Sequence, residues 1–354
     1  MTTPSSIDTV SDTQPGRVFR SDGPLAASPT TLRVATRGSR LAVTQTTTVA
    51  EGIAAATGLD VAIVIVRTQG DISRAPLAQL GGTGVFVSAL REALLAGECD
   101  FAVHSLKDLP TGPCPGIALG AIPPRADARD ALCARPGKTL ASLAPGARVG
   151  TGSPRRAAQV LARRPDLEVV DLRGNVDTRL ARVENDLDAV ILAAAGLDRI
   201  DRGEAISERF SLAEAPTAAG QGALAVEVRE EDLLDTRVSV ALAALDDPVS
   251  RATANAEREM LNALEAGCAA PVGAAASADD GRLSLRATVY RLDGSASLTA
   301  EASVPWTASG GAAADSPGMP PGSGSPLPAN LGREVAADLL NQGAAALAPL
   351  GGPQ

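Results

Sequence analysis

Two adjacent arginines, Arg155 and Arg156, follow Ser153 and Pro154 in the stretch GTGSPRRAAQV. Ser153 is a good N-cap and Pro154 suits the first helical position, so the spacing predicts both arginines in the first turn of a helix. The positive pole of the helix dipole already lies at that end, and cations there are mildly disfavoured. An anion is therefore expected to offset them. Other cations follow strand-like runs: Arg37, with Ser39, after LRVAT, Lys107 in HSLKDLP, and Arg173 in LRGN, with Arg179 in the helical stretch beyond it. Guanidinium groups match carboxylates or phosphates with paired hydrogen bonds, so the pattern points to a polyanionic ligand large enough to span two domains. Arg163, Arg164 and Arg182 read as solvated helix faces.

Asp108, in HSLKDLP, lies just before Pro110, where a lone aspartate is ordinary turn chemistry. Amid this many cations it can instead oppose a positive charge that develops on a substrate, or move a proton to it. His104 is the only histidine and closes an apolar strand, which reads as a hydrogen-bonded structural role. Its solitude argues against His-based zinc sites and Ser-His-Asp relays, and no metal is expected. Cys99, Cys114 and Cys133 read as small buried hydrophobes, whereas Cys268, after the glycine in LEAGCAAPVG, suits an accessible nucleophile or attachment point. The cysteines form neither a CxxC pair nor a dense disulfide framework, and a reducing cytoplasm fits them best.

The elements that must position these groups follow from periodicity. The runs LRVAT, VAIVIV and FAVHS alternate with helical stretches Leu41–Thr57 and VFVSALREALLAG, which predicts a parallel sheet covered on both faces. A second series (ALCAR, ARVGTG, LEVVDL and DAVILAAAG, with helices between them) predicts another doubly wound α/β domain, and GALAVEVR reads as a strand that can return to the first sheet. The helix of DDPVSRATANAEREMLNALEAG, strands RLSLRATV and ASLTAEASV, and a helix Asn330–Leu347 form a small α+β unit with an antiparallel sheet. The expected organisation is a disordered tail over 1–30, a first domain over 31–125 joined by 223–240, a second over 126–222, and a third over 245–347 with a flexible insertion at 307–328. In open α/β sheets ligands sit beyond the carboxyl ends of strands, where the singled-out residues fall. At 354 residues and a net charge of -9, with six aromatic side chains, the chain is a poor general nucleic-acid binder. The first thirty residues lack a secretory h-region, and no run of eighteen apolar residues predicts a membrane span.

Taken in order, ATRGSRLAVTQ, TQGD, GVFVSALREALL, VHSLKDLP, GTGSPRR, LRGNVDTRL, ILAAAGLDR and AAGQGALAVE resemble the porphobilinogen deaminase (hydroxymethylbilane synthase) family from about Leu32 to Leu347. The resemblance implies three domains, with an active-site cleft between the first two lobes and a cysteine loop on the third. It implies a transferase of tetrapyrrole (haem) biosynthesis that links four porphobilinogen units with release of ammonia and hydrolyses off hydroxymethylbilane. One dipyrromethane cofactor per chain, attached to Cys268 as a thioether, stays as the primer. Every pyrrole carries an acetate and a propionate, which accounts for the arginines. By motif match Asp108 is catalytic and stabilises the cationic azafulvene left by ammonia. Lys107, Ser153, Arg155, Arg156 and Arg173 bind cofactor, while Arg37, Ser39, Arg173, Arg179 and Arg199 bind substrate. Asp71 and Phe86 belong to a lid over 68–86, where Thr83 and Gln79 replace common lysines; the cysteine loop reads CAAP in place of C-x-V-P. The implied protein is a cytoplasmic monomer that hands product to uroporphyrinogen-III synthase, without nucleic-acid or membrane partners. The rival reading is a non-catalytic solute binder built on two lobes like those of periplasmic binding proteins, which would have no need of Cys268.

Overall fold

The computed structural model describes residues 15–21, 23–66, 84–267, 270–308 and 326–350, and of residues 84–86 the backbone alone. The first lobe runs β1 (Val18–Ser21), β2 (Thr31–Thr36), α1 (Arg40–Thr57), β3 (Asp60–Ile65), α2 (Gly84–Leu95), β4 (Phe101–Ser105) and β5 (Ile117–Ala121). Its aliphatic runs TLRVAT and DVAIVI are buried almost throughout, as strands covered on both faces must be. Leu32, Val34, Ile63 and Phe101 meet Val49 and Ile53 of α1 in one core.

The second lobe runs β6 (Asp130–Ala134), β7 (Arg148–Gly150), α3 (Pro154–Arg163), β8 (Glu168–Val170), α4 (Val176–Asn185), β9 (Ala189–Ala193), α5 (Ala194–Asp198) and β10 (Glu208–Arg209). Its sheet has the order β10-β6-β9-β7-β8. Alternate residues of its strands feed two cores, one around Leu132, Val149 and Ile191, the other around Cys133, Val190 and Leu197.

The chain then returns. β11 (Leu224–Arg229) enters the first sheet between β4 and β5, antiparallel to both, and α6 (Thr236–Leu245) follows. That sheet is therefore β1-β3-β2-β4-β11-β5, and both sheets are mixed where the periodicity predicts parallel ones, because β6 also opposes β9. The exceptions share a cause. β6 and β11 are the first strands after each passage between lobes, and such a strand does not arrive through a right-handed βαβ crossover. The two passages lie side by side, with the Ala126 amide donating to the Gly222 carbonyl at 3.2 Å. Gly222 has φ of 87°, and a Cβ there would lie 2.5 Å from the Ala126 carbonyl oxygen, so this approach requires glycine.

The third unit comprises α7 (Pro248–Ala263), β12 (Val272–Asp279), β13 (Arg282–Tyr290), β14 (Ser297–Pro305), α8 (Pro326–Asn341) and α9 (Ala344–Leu347). Its antiparallel sheet packs on α7 and α8 through Met260, Leu283, Leu285, Leu331 and Val335. The alanine-rich β12 is unexpected from propensity; pairing with β13 along its whole length decides its state. β1 corrects the tail reading of 1–30: Val18–Ser21 pair with Val61–Val64, and Arg17 anchors the strand on Asp60 at 2.6 Å. Residues 1–14 and 309–325 lie outside the described residues. The last helix begins at Pro326, ahead of Asn330, and breaks at Gly343 before α9.

Candidate active site

β4 ends at Ser105, and the chain enters one 3-10 turn, Leu106–Asp108. The buried Leu106 donates its amide to the Ala223 carbonyl at 3.0 Å, which hooks the turn to the returning passage. From α7, Arg258 donates to the carbonyls of Leu109 at 3.0 Å and Pro110 at 2.7 Å, while Thr111 Oγ1 lies 3.2 Å from Asn262 Oδ1. The half-buried Lys107 and Asp108 are thus carried on a turn fixed by two other parts of the chain. Lys107 Nζ donates to Gln221 Oε1 at 3.2 Å. Burial, then the neighbouring Arg156, push the Lys107 ammonium down to about 8, against the opposing pull of Asp108 and Asp130.

Both arginines of GTGSPRR turn inward. Ser153 caps α3, accepting from the Arg156 amide at 3.5 Å, with Pro154 in the first turn. Arg155 Nη1 donates to Asp130 Oδ2 at 2.7 Å, Gln159 Oε1 at 2.9 Å and the Pro216 carbonyl at 3.2 Å. Arg156 donates to Asp130 Oδ1 from Nη2 at 2.6 Å and from Nε at 3.0 Å. The expected anion is therefore a residue of the chain itself, and neither guanidinium is the exposed group that the motif suggests. Asp130 is 1% exposed. Burial favours its neutral form, but Arg155 and Arg156 hold its carboxyl well below the usual carboxylate range. Sequence reasoning missed Asp130 as a site residue, although a carboxylate opening the buried run ALCA has to find a partner.

Gln221 is the second missed residue. Fully buried on the returning passage, it accepts at Oε1 from Lys107 and from Arg156 Nη2 at 3.3 Å, and donates from Nε2 to Asp130 Oδ1 and the Ala128 carbonyl, both at 2.8 Å. Its motif AAGQGALAVE is legible; its partners are not. Around this cluster, Arg179 donates to the Gly174 carbonyl at 2.7 Å, and burial together with Arg156 and Arg173 lowers its pKa. Arg173 is exposed, 3.2 Å from Asp171. Arg199 donates to the Gly222 carbonyl at 2.7 Å, and burial lowers its pKa. Arg37 and Ser39 lie between β2 and α1, where Ser39 caps α1 and Arg40 donates across the lobe boundary to the Ile200 carbonyl at 2.8 Å.

Other singled-out residues stand apart. His104 Nε2 lies 3.2 Å from Glu227, which also pairs with Arg91 at 2.6 Å, so the histidine is built into the first lobe. Burial alone would raise the Glu227 carboxyl, and His104 and Arg91 hold it down to about 2. Cys268, Asp71, Gln79 and Thr83 lie outside the described residues, as does the side chain of Phe86. The described chain leaves α7 as far as Gly267, and Arg258 and Asn262 of that helix touch the Asp108 turn. Among the described residues no group of His, Cys, Asp and Glu is arranged to hold a metal, and no helix is long and apolar enough to cross a membrane.

Two arginines share one fully buried carboxylate beside Lys107, and burial with like charges nearby lowers Lys107, Arg155 and Arg179. A ligand bearing several carboxylates fits this surplus. Fold and site together define a two-lobed α/β protein with a small third domain and a cationic cluster at the lobe boundary. The family model for porphobilinogen deaminase, dipyromethane cofactor binding domain, matches residues 32–236, and that for its C-terminal domain matches 252–313. The porphobilinogen deaminase of Leifsonia xyli is 56% identical over 334 residues, covering 94% of this chain and 98% of that protein. That of Thermobifida fusca is 51% identical over 320 residues, covering 90% and 95%. The chain belongs to the porphobilinogen deaminase family. Among solved structures, a periplasmic substrate-binding protein of an ABC transporter from Coxiella burnetii covers 61% of this chain and 92% of its own at 17% identity and a TM-score of 0.38. The methionine-binding protein MetQ covers 62% and 91% at 14% identity and a TM-score of 0.40.

Proposed function

We propose that the chain joins four porphobilinogen units head to tail into hydroxymethylbilane, releasing ammonia at each addition, with one dipyrromethane held through a thioether at Cys268. The observation that carries this reading is the surplus positive charge around Asp130 and Gln221, set beside the Asp108 turn. Lys107, Ser153, Arg155, Arg156 and Arg173 hold cofactor carboxylates, with Arg155 and Arg156 themselves steadied by Asp130. Arg37, Ser39, Arg173, Arg179 and Arg199 hold those of the substrate, and Asp71 and Phe86 are assigned to the same site by motif match alone. When bound, the dipyrromethane supplies the free pyrrole carbon to which the first unit is joined.

From the ammonium form of porphobilinogen, ammonia leaves with the electron pair of the C–N bond, the pyrrole is left positively charged, and the acceptor carbon loses its proton as the new C–C bond forms. Asp108 stabilises that charge. Because Ala223 and Arg258 already fix its turn, the carboxylate needs no reorganisation as the charge develops. The reading extends to a cytoplasmic monomer that passes its product to uroporphyrinogen-III synthase.

The test is the intact mass of the purified protein beside Cys268→Ala. An addition equal to two porphobilinogen units less their ammonia is expected only where Cys268 is present. If neither protein gains mass after incubation with porphobilinogen or hydroxymethylbilane, the primer is lost, and a two-lobed solute binder becomes the better account.

A further inference from the structure

We propose that Gln221 is a positioning residue: one side-chain amide holds Lys107 of the first lobe and Arg156 and Asp130 of the second in a fixed arrangement, and so sets the carboxylate-binding charge across the lobe boundary. The inference rests on the deaminase reading for what that charge binds, but not for the contacts themselves.

The orientation of the amide follows from its partners. The Ala128 carbonyl can only accept, so the atom 2.8 Å from it is the NH2 group, and the amide oxygen faces Lys107 and Arg156. Each end meets the charge that it suits. The oxygen accepts from two cations, and the nitrogen donates to the one buried anion they surround. A glutamate here would lose both donated bonds, and a methionine would lose all four. The position is also fixed from the backbone: the Gln221 amide donates to the Ala218 carbonyl at 2.9 Å, and its carbonyl accepts from Arg125 Nε at 2.8 Å. Neither lobe contains this segment; it lies on the passage between them, where one side chain can reach both.

The chain supplies its own probe. Of 32 basic side chains two are lysines, Lys107 and the exposed Lys138, so selective lysine labelling yields two ammonium titrations, one of them an internal reference. The charged and titratable groups acting on Lys107 are Arg155, Arg156, Asp108 and Asp130, and Gln221 touches two of them. Replacing its neutral acceptor by a carboxylate stabilises the ammonium; removing the acceptor destabilises it.

The experiment follows Lys107 by NMR across alkaline pH in the cofactor-loaded protein and in Gln221→Glu and Gln221→Met, alongside the pH dependence of kcat/KM. Gln221→Glu is expected to raise the Lys107 midpoint by about one pH unit relative to the unsubstituted protein, and Gln221→Met to lower it. The alkaline limb of kcat/KM should move with each midpoint, with a loss for Gln221→Met of roughly tenfold or more, mainly in KM. An unmoved Lys107 midpoint in both variants, even with a lower Tm, makes Gln221 merely structural and overturns the proposal. If Gln221→Met does not fold, Gln221→Glu decides alone. If the unsubstituted protein makes no product, the deaminase reading fails, while the titration still decides whether Gln221 holds Lys107.

Discussion

Asp130 pairs with two guanidinium groups from a position with almost no access to water, 2.7 Å from Arg155 and 2.6 Å from Arg156. Removing its charge leaves two cations buried against each other and against Lys107. Asp130→Asn is expected to lose about 3–5 kcal/mol of stability, read as a fall in the denaturant midpoint; an unchanged midpoint would show that Asp130 is dispensable. Asp108→Ala behaves oppositely, because its turn is held by the Leu106 amide on Ala223 and by Arg258. Its Tm should stay near that of the parent while turnover falls roughly 10²–10³-fold, and near-normal turnover removes Asp108 from the mechanism. Glu227 gives a pH signature. Its carboxyl is held at about 2 from an ordinary 4.5, so the stability it contributes is complete above about 4.5 and is lost as pH falls toward 2. That is roughly 3 kcal/mol by the size of the shift, and Glu227→Gln should flatten the Tm profile over that window.

At the scale of elements, α7 braces the passages between the lobes. Its Glu257, 0% exposed, takes both terminal nitrogens of Arg125 at 2.9 Å and the amides of Gly220 at 2.7 Å and Ala276 at 2.9 Å. One carboxylate thus ties the outgoing passage, the returning passage and β12 together. In Glu257→Gln, amide exchange should accelerate in all three segments; acceleration confined to α7 would refute the brace. Periodicity makes most of this frame legible, since the apolar runs LRVAT and FAVHS are the buried strands it predicts. β1 and β12 escape it because pairing with β3 and β13 outweighs weak local preference. The arginines and Asp108 are legible as residue types at strand ends. Their organisers are not, because Asp130 lies 26 residues from Arg156 and Gln221 lies 65 from it, on strands and passages that only the tertiary fold brings together.

At the scale of the molecule, two adjacent passages join the lobes, and the site spans both. Relative movement of the lobes about those passages is one way to accommodate a product that lengthens by one pyrrole at each step. Hydrogen exchange at 122–129 and 211–223 is expected to differ among protein samples trapped after one, two and three additions; identical protection at every stage excludes relative movement of the lobes. The same threading governs how the protein is made. β4 and β5 emerge from the ribosome with no partner between them, because β11 is translated only after the entire second lobe. The second lobe is therefore complete while the first still has an open slot, so the lobe encoded first is the later of the two to close. Its last strand follows directly on Gln221 and Gly222, and active-site assembly is thereby coupled to the final step in closing the first sheet.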